Sequence, residues 1–293
     1  MYYRIADLYV EIVFAEGGLN GESLIPSLSV FRVDSVAEGE QVLFRLLVDD
    51  ALEPMRQDRE RIGIFDSGNG DTVVDRFPDG AYQYIIKDVE GRECCLLQTS
   101  STFADCRCAL NGNFICRQFG LNNALMLVFA FSASYRKTLL IHASLVRHDG
   151  KGYAFVAKSG TGKSTQVSNW LRYIPDCDLM NDDNPIVRIT DEGEAVIYGS
   201  PWSGKTPCYR DVKAPLGAIT RIDRADTNWV EHLAPVAAFA SFLPSCSTMK
   251  WDKKVFDNVC NTVTCVIKLS PIYILHCLPD RASAEVCHSV IAK

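Results

Sequence analysis

The 293-residue chain lacks a positive charge balance: 30 basic side chains stand against 36 acidic ones, for a formal charge of -6. Without a broad positive field it is not built to draw in nucleic acid or an anionic membrane, so any anion site has to be local. A secretory start is missing as well. The opening "MYYRIADLYVEIVFAEGG" carries acids within its apolar part and has neither a basic leader nor a small-residue cleavage site, so export is not expected. No hydrophobic run is long: "ALMLVFAFSA", residues 124–133, is about half of what a bilayer crossing needs, and it reads as a buried helix. No C-x-x-C pair occurs among the 12 cysteines. Cys94, Cys95, Cys106 and Cys108 come closest to a cluster, with spacing unlike a zinc ribbon or finger. The expectation is reduced thiols acting as small core residues in a reducing, cytoplasmic compartment, with disulfides or a metal as the alternatives.

What is present is the balance of a soluble globular protein, 47% hydrophobic and 23% charged, at a length that suggests two compact units. Up to residue 119, short apolar stretches such as "LYVEIVF", "SVFRV", "QVLFRLLV", "RIGIF", "AYQYIIKD" and "ECCLLQ" alternate with turn signals. This is a strand-and-turn pattern, and residues 1–119 read as a β-rich accessory or recognition domain. No internal repeat or low-complexity segment is found.

Near Gly120 the character changes. A helix is expected over 121–136, followed by the strand-like runs "LLIHASLV" and "YAFVA", joined as a hairpin by "RHDGKG". The second run ends in "KSGTGKST". A usual phosphate loop reads G-x-x-x-x-G-K-[ST] between a strand and a helix, so that free backbone N–H groups converge on phosphate. Gly160, Gly162, Lys163 and Ser164 fit it, while Ala157 stands where the first glycine would be, which a negative φ at a strand end tolerates. Lys163 would reach the β and γ phosphates and the Ser164 hydroxyl would hold Mg²⁺. After the loop, Val167, Trp170 and Leu171 mark the apolar face of a helix. Further on, "NWVEHLAPVAAFASFL" and "VFDNVCNTVTCVI" read as helices, with Pro235 delimiting or kinking the first. "PIYILHCL" reads as a strand and the last segment as a helix.

Asp182 and Asp183 follow Lys163 by 19 and 20 residues, room for a helix, a connection and a returning strand. Two adjacent carboxylates at a strand end ask for a cation or a shared proton. One would hold metal and the other would accept the proton of an attacking hydroxyl. Asp183 is set down with Ser164 for the metal, and both acids for catalysis. His142, in the strand before the hairpin, is either a satisfied core histidine or a phosphate-site group. In "SPWSGK", Ser203, Gly204 and Lys205 form a second anion contact, with Lys205 offsetting charge on a transferred phosphoryl group, or else a turn with an exposed lysine and a packed Trp202.

The succession of "LIHASLV", a hairpin, "AKSGTGKST", "NDD" and "YGSPW" resembles the HPr kinase/phosphorylase group, whose nucleotide fold is shared with phosphoenolpyruvate carboxykinases. The resemblance covers the chain from about Leu121 onward. It implies an α/β fold of mixed sheets with flanking helices, residues 120–293 forming an HPr kinase-like nucleotide-binding catalytic domain after the β-rich front domain. It implies ATP and Mg²⁺, with phosphates resting on Ser159, Gly160, Thr161, Gly162, Lys163, Ser164 and Thr165. It also implies that His142 bonds phosphate or fixes the Asp pair. The C-terminal R-G-hydrophobic-G type signature of true HPr kinases is not visible, so the chain is more similar to HPr kinase-related proteins that phosphorylate other hydroxyls, peptide serines included.

The expected function is therefore a Mg²⁺-dependent kinase that moves the γ-phosphoryl of ATP to a serine or threonine of a peptide or protein, or to a small molecule. A nucleotide-binding regulatory module without catalysis is the alternative, and a carboxykinase-like enzyme a further one. The expected partners are a nucleotide and a hydroxyl acceptor, not a nucleic acid or a membrane. Donor identity, acceptor identity, the division of labour within the Asp pair and homo-oligomer formation stay open.

Overall fold

A computed structural model describes residues 1–66, 68–204 and 206–292. The protein is mixed α/β: two large mixed sheets with flanking helices, in two compact units, Met1–Ser132 and Ala133–Lys293.

The first unit carries β1 (Tyr2–Ile5), β2 (Leu8–Phe14), β3 (Arg32–Val33), β4 (Val42–Val48), β5 (Glu60–Asp66), β6 (Asp71–Arg76), β7 (Tyr82–Lys87), β8 (Glu93–Thr99) and β9 (Asp105–Leu110). They form one nine-stranded sheet in the order β3-β1-β2-β4-β9-β8-β7-β6-β5. Most of "SVFRV" is a 3₁₀ turn, Pro26–Phe31, because Pro26 starts a helical turn and leaves only two residues to pair. The expected boundary at 119/120 falls inside helix α1 (Phe114–Ala133). Gly120 lies so close to the backbone of Cys94 that a Cβ there would sit 2.6 Å from its carbonyl oxygen, and Phe131 packs its ring on Phe103. These contacts tie α1 to the first unit. The stretch Phe114–Arg136 is long and apolar enough to cross a membrane by length and composition, longer than the run read from the sequence, and half of its apolar window is buried.

The second unit carries β10 (Thr138–Leu140), β11 (Ala143–His148), β12 (Lys151–Val156), β13 (Asp178–Asp183), β14 (Ile186–Ile189), β15 (Ala195–Tyr198), β16 (Lys213–Arg224), β17 (Trp229–His232) and β18 (Ile272–Cys277). Its helices are α2 (Lys163–Tyr173), α3 (Pro235–Phe242), α4 (Lys253–Leu269) and α5 (Arg281–Ile291). The strand order is β10-β14-β15-β16-β12-β11-β13, with β18 on β16 and β17 on β18. β11 and β12 form the expected hairpin, and β12, β16 and β18 run parallel. "NWVEH" is not helical: Trp229–His232 pairs with β18, and Pro235 opens α3 rather than kinking it, since its missing N–H costs nothing in a first turn.

Side chains alternate across β11 and β12. Val146, Tyr153 and Phe155 enter a cluster with Val167 and Trp170 of α2 and Cys287 of α5, whereas Leu145, Ala154 and Val156 join Phe242, Val259 and Val263 from α3 and α4. The sheet is thus covered on both faces, which is why these strands read as near-continuous apolar runs. On α2 the buried positions include Gln166, Val167 and Trp170, while Leu171 turns out at 38% exposed. Trp170 is fully buried among Phe155, Tyr153 and His148, and it anchors the helix whose first turn carries the loop. Trp170→Ala is expected to cost about 3–5 kcal/mol of unfolding free energy; a denaturant titration showing less than about 1 kcal/mol would mean that this contact does not hold α2 in place.

Candidate active site

Because β12, β16 and β18 are parallel, their carboxyl ends lie side by side, the edge at which open α/β sheets receive ligands. A cleft of about 330 Å³ opens there, walled by Gly160, Thr161 and Thr165 on one side and by Ile222, Arg224, Cys277 and Leu278 on the other. β12 runs directly into the loop. Gly160 at φ 75° and Gly162 at φ 133° adopt backbone shapes that side chains with a Cβ rarely take. At neither position would an added Cβ meet anything within 4 Å, so conformation and not crowding calls for glycine. Ala157 is not among the residues of positive φ.

The first intrahelical bond of α2 runs from the Gln166 N–H to Gly162 O at 2.9 Å. The N–H groups of Lys163, Ser164 and Thr165 precede it, no side chain caps this end, and no acid lies in the first turn. The positive pole of the helix is therefore turned to the loop with no compensating side chain from its own first turn. Arg224, at the end of β16, holds the loop from the other side: Nη2 donates to Gly160 O at 2.6 Å and Nε to Thr161 O at 3.2 Å. With the Thr161 carbonyl fixed toward the guanidinium, the trans peptide sends the Gly162 N–H the opposite way. Lys163 is buried and donates from Nζ to Ala157 O at 3.1 Å. Burial pulls its ammonium below the ordinary lysine value, outweighing the carboxylates of Asp183 and Asp182, which pull the other way.

The two acids arrive on β13, where Asp182 pairs with Ser144 and Asp183 with Ala143; Ala143 pairs on its other side with Val156. Two strand spacings, about 10 Å, thus separate Asp183 from the strand end that feeds the loop. Asp182 is 6% exposed, and its Oδ1 accepts from Ser144 Oγ at 2.7 Å and Ser164 Oγ at 3.4 Å. Asp183 is more open: Oδ1 stands 3.2 Å from His142 Nε2, and Oδ2 accepts from Asn184 Nδ2 at 2.7 Å. So it is Asp182, not Asp183, that the fold brings to Ser164. Asp183 goes with His142 instead.

Ser159, Gly160, Thr161, Gly162, Lys163, Ser164 and Thr165 all fall on the loop or the first turn of α2. The second anion contact takes another form. Ser203 Oγ lies within bonding reach of the carbonyl oxygens of Thr206 (2.6 Å) and Asp182 (3.0 Å), and the Gly204 N–H also donates to Asp182 O. Those donors brace the acid strand, Trp202 is buried as the alternative foresaw, and Lys205 lies outside the described residues.

Three contributors were not read from the sequence. Ser144 bonds Asp182. Arg224 clasps the loop from 63 and 64 residues away, with no local signal to betray it. Asn181, fully buried, donates from Nδ2 to Ser200 Oγ (3.2 Å) and Trp202 O (3.1 Å) and accepts the Asn184 N–H at Oδ1 (2.9 Å). Its place in "NDD" was the available signal. Asp183 has φ 135°, a strained value for a residue with a Cβ, and the Asn181–Asn184 bond together with the bridge to Ser203 holds it there.

No protein-family model matches the chain, and no curated protein matches it.

The strain at Asp183 is measurable. Both Asp183→Gly and Asp183→Ala remove the carboxylate, but only glycine accepts the backbone shape without cost. The glycine variant is expected to be the more stable by about 1 kcal/mol, the reverse of the usual preference for alanine. An alanine variant equal to or more stable than the glycine one in denaturant titration would show that the position carries no strain.

Proposed function

We propose that the second unit is a phosphotransferase of the HPr kinase type, built on the nucleotide fold of the HPr kinase/phosphoenolpyruvate carboxykinase group. It takes a nucleoside triphosphate, ATP in the simplest case, together with Mg²⁺, and passes the terminal phosphoryl to a hydroxyl of a peptide, a protein or a small molecule. The twelve free cysteines suit a reducing, cytoplasmic setting. The observation that carries the reading is the meeting of Ser164, at the start of α2, with Asp182, at the end of β13. A hydroxyl and a carboxylate beside an uncapped helix start form an oxygen donor set suited to a hard cation that accompanies phosphate.

Ser164 and Asp182 would hold Mg²⁺, which when bound supplies charge neutralisation to the phosphates. The amides of Lys163, Ser164 and Thr165, with the Lys163 ammonium, would hold the phosphate chain, and the cleft beyond Thr165 and Ile222 would take the nucleoside. Desolvation strengthens every one of these contacts, which is the use of burying a lysine here. Asp183 stands on the open side. Its carboxylate would take the proton of the acceptor hydroxyl as that oxygen bonds to the terminal phosphorus and the bond to the β-phosphate oxygen breaks, releasing the diphosphate. His142, 3.2 Å from Oδ1, orients that carboxylate.

The test uses the whole protein with labelled ATP, Mg²⁺ and peptides bearing internal or terminal serines. Asp183→Asn is expected to lower kcat roughly 100- to 10,000-fold, the worth of a general base, with nucleotide Kd changed little. Asp182→Asn is expected to abolish Mg²⁺-dependent turnover. Transfer that persists in both variants would remove the acids from their roles. Tight ATP binding with no phosphorylated product in any lysate fraction would leave a nucleotide-sensing module instead.

A further inference from the structure

A group of side chains in the first unit is unrelated to the loop. Asp88 opens the turn between β7 and β8, Cys94 lies near the start of β8, and Cys116 lies in the first turn of α1. All three are buried, and their ligand atoms lie within 4.8 Å of one another. Among the described residues no other trio of histidine, cysteine or acid meets that test. Of the sequence cluster of four cysteines only Cys94 takes part. Cys95 shares a hydrogen bond with Cys108 instead, and Cys116, which stands well outside that cluster, supplies the second sulfur.

The geometry points to a structural site for a thiophilic divalent cation, zinc in the first instance, held by Cys94 Sγ, Cys116 Sγ and one carboxylate oxygen of Asp88. Two sulfurs and one oxygen are a donor set that zinc accepts and that magnesium or calcium does not favour. Tetrahedral coordination at zinc–sulfur lengths of about 2.3 Å sets neighbouring ligand atoms about 3.5–3.8 Å apart, so the trio has to contract by about 1.3 Å at most. The carboxylate is already aimed. Its Oδ1 accepts the N–H groups of Glu90 (3.0 Å) and Arg92 (2.9 Å), and its Oδ2 accepts Arg92 Nε at 2.7 Å. An ionised carboxylate has about four acceptor positions, so three donors leave one for the metal, and the outer hydrogen bonds act as the support that ligating carboxylates ordinarily have. The Arg92 carbonyl, 3.3 Å from Cys94 Sγ, is within reach as a fourth donor.

Cys116 is also fixed. Its N–H donates to Asn113 Oδ1 at 3.0 Å, which sets the first turn of α1, and Gly112 at φ 81° lets the chain approach until an added Cβ would stand 2.9 Å from Cys116 Cβ. An ion here would clamp the β7–β8 turn to the start of α1.

The full-length protein, reduced and handled without oxygen, is titrated with Cd²⁺ and with Co²⁺. One equivalent is expected to bind with thiolate-to-metal charge-transfer absorption. The paired substitutions Cys94→Ser and Cys116→Ser are expected to abolish that band, while Cys95→Ser leaves it in place. Asp88→Asn, which keeps the size of the side chain, is expected to weaken binding roughly ten- to a hundredfold. Should the double serine variant fail to fold, the native chain and Asp88→Asn decide the question. Absence of the band from the native protein, its survival in a folded double variant, or an unchanged affinity in Asp88→Asn would each overturn the site.

Discussion

The second unit turns on one buried carboxylate. Asp182 is almost wholly removed from water and is met by hydroxyl donors, Ser144 from β11 and Ser164 from α2, and among the described residues no guanidinium or ammonium bonds its carboxylate. A charge taken out of water costs several kcal/mol unless its surroundings answer it. Here the answer comes from the two hydroxyl dipoles and, at longer range, from the Lys163 ammonium. Because the donors sit on different elements, Asp182 ties the hairpin, the acid strand and the loop helix into one unit of geometry. The 3.4 Å separation from Ser164 is the loosest of these links.

Parallel strands supply the second half of the arrangement. Only where β12, β16 and β18 run in the same direction do three carboxyl ends gather at one edge, and that edge carries the cleft, the loop and Arg224 together. The protein is acidic as a whole, so positive potential at this edge comes from aimed dipoles and a few cations at short range and not from net charge. Lys163 and Arg224 act differently in this. The first is buried and offers its charge inward, whereas the second is exposed and uses its planar donors to shape the backbone.

The pair of acids is asymmetric for local reasons. Asp182 has its backbone carbonyl held by Gly204 and its side chain by serines, while Asp183, one residue on, is bent into positive φ and left half-open beside His142. One chain position thus separates a sequestered carboxylate from an accessible one. Such strain is sustained by its surroundings, and Asn181 is the residue that sustains it, spending both ends of its amide on the neighbouring backbone.

By itself the sequence determined the local pieces. The apolar runs of β11 and β12 with a polar glycine turn between them made the hairpin, and the glycines at 160 and 162 permitted the bend that follows. These outcomes follow from short-range sterics and hydrogen bonding, which a few adjacent residues specify. Pairing and contact were decided only by tertiary structure. Trp229–His232 became a strand because β18 offered it an edge, Leu171 turned outward because the sheet beneath α2 met a different stripe, and Arg224 reached Gly160 because β16 happens to lie beside β12. Likewise, which of two adjacent aspartates meets Ser164 depends on strand register and on packing between distant segments, and no window of neighbouring residues contains that information.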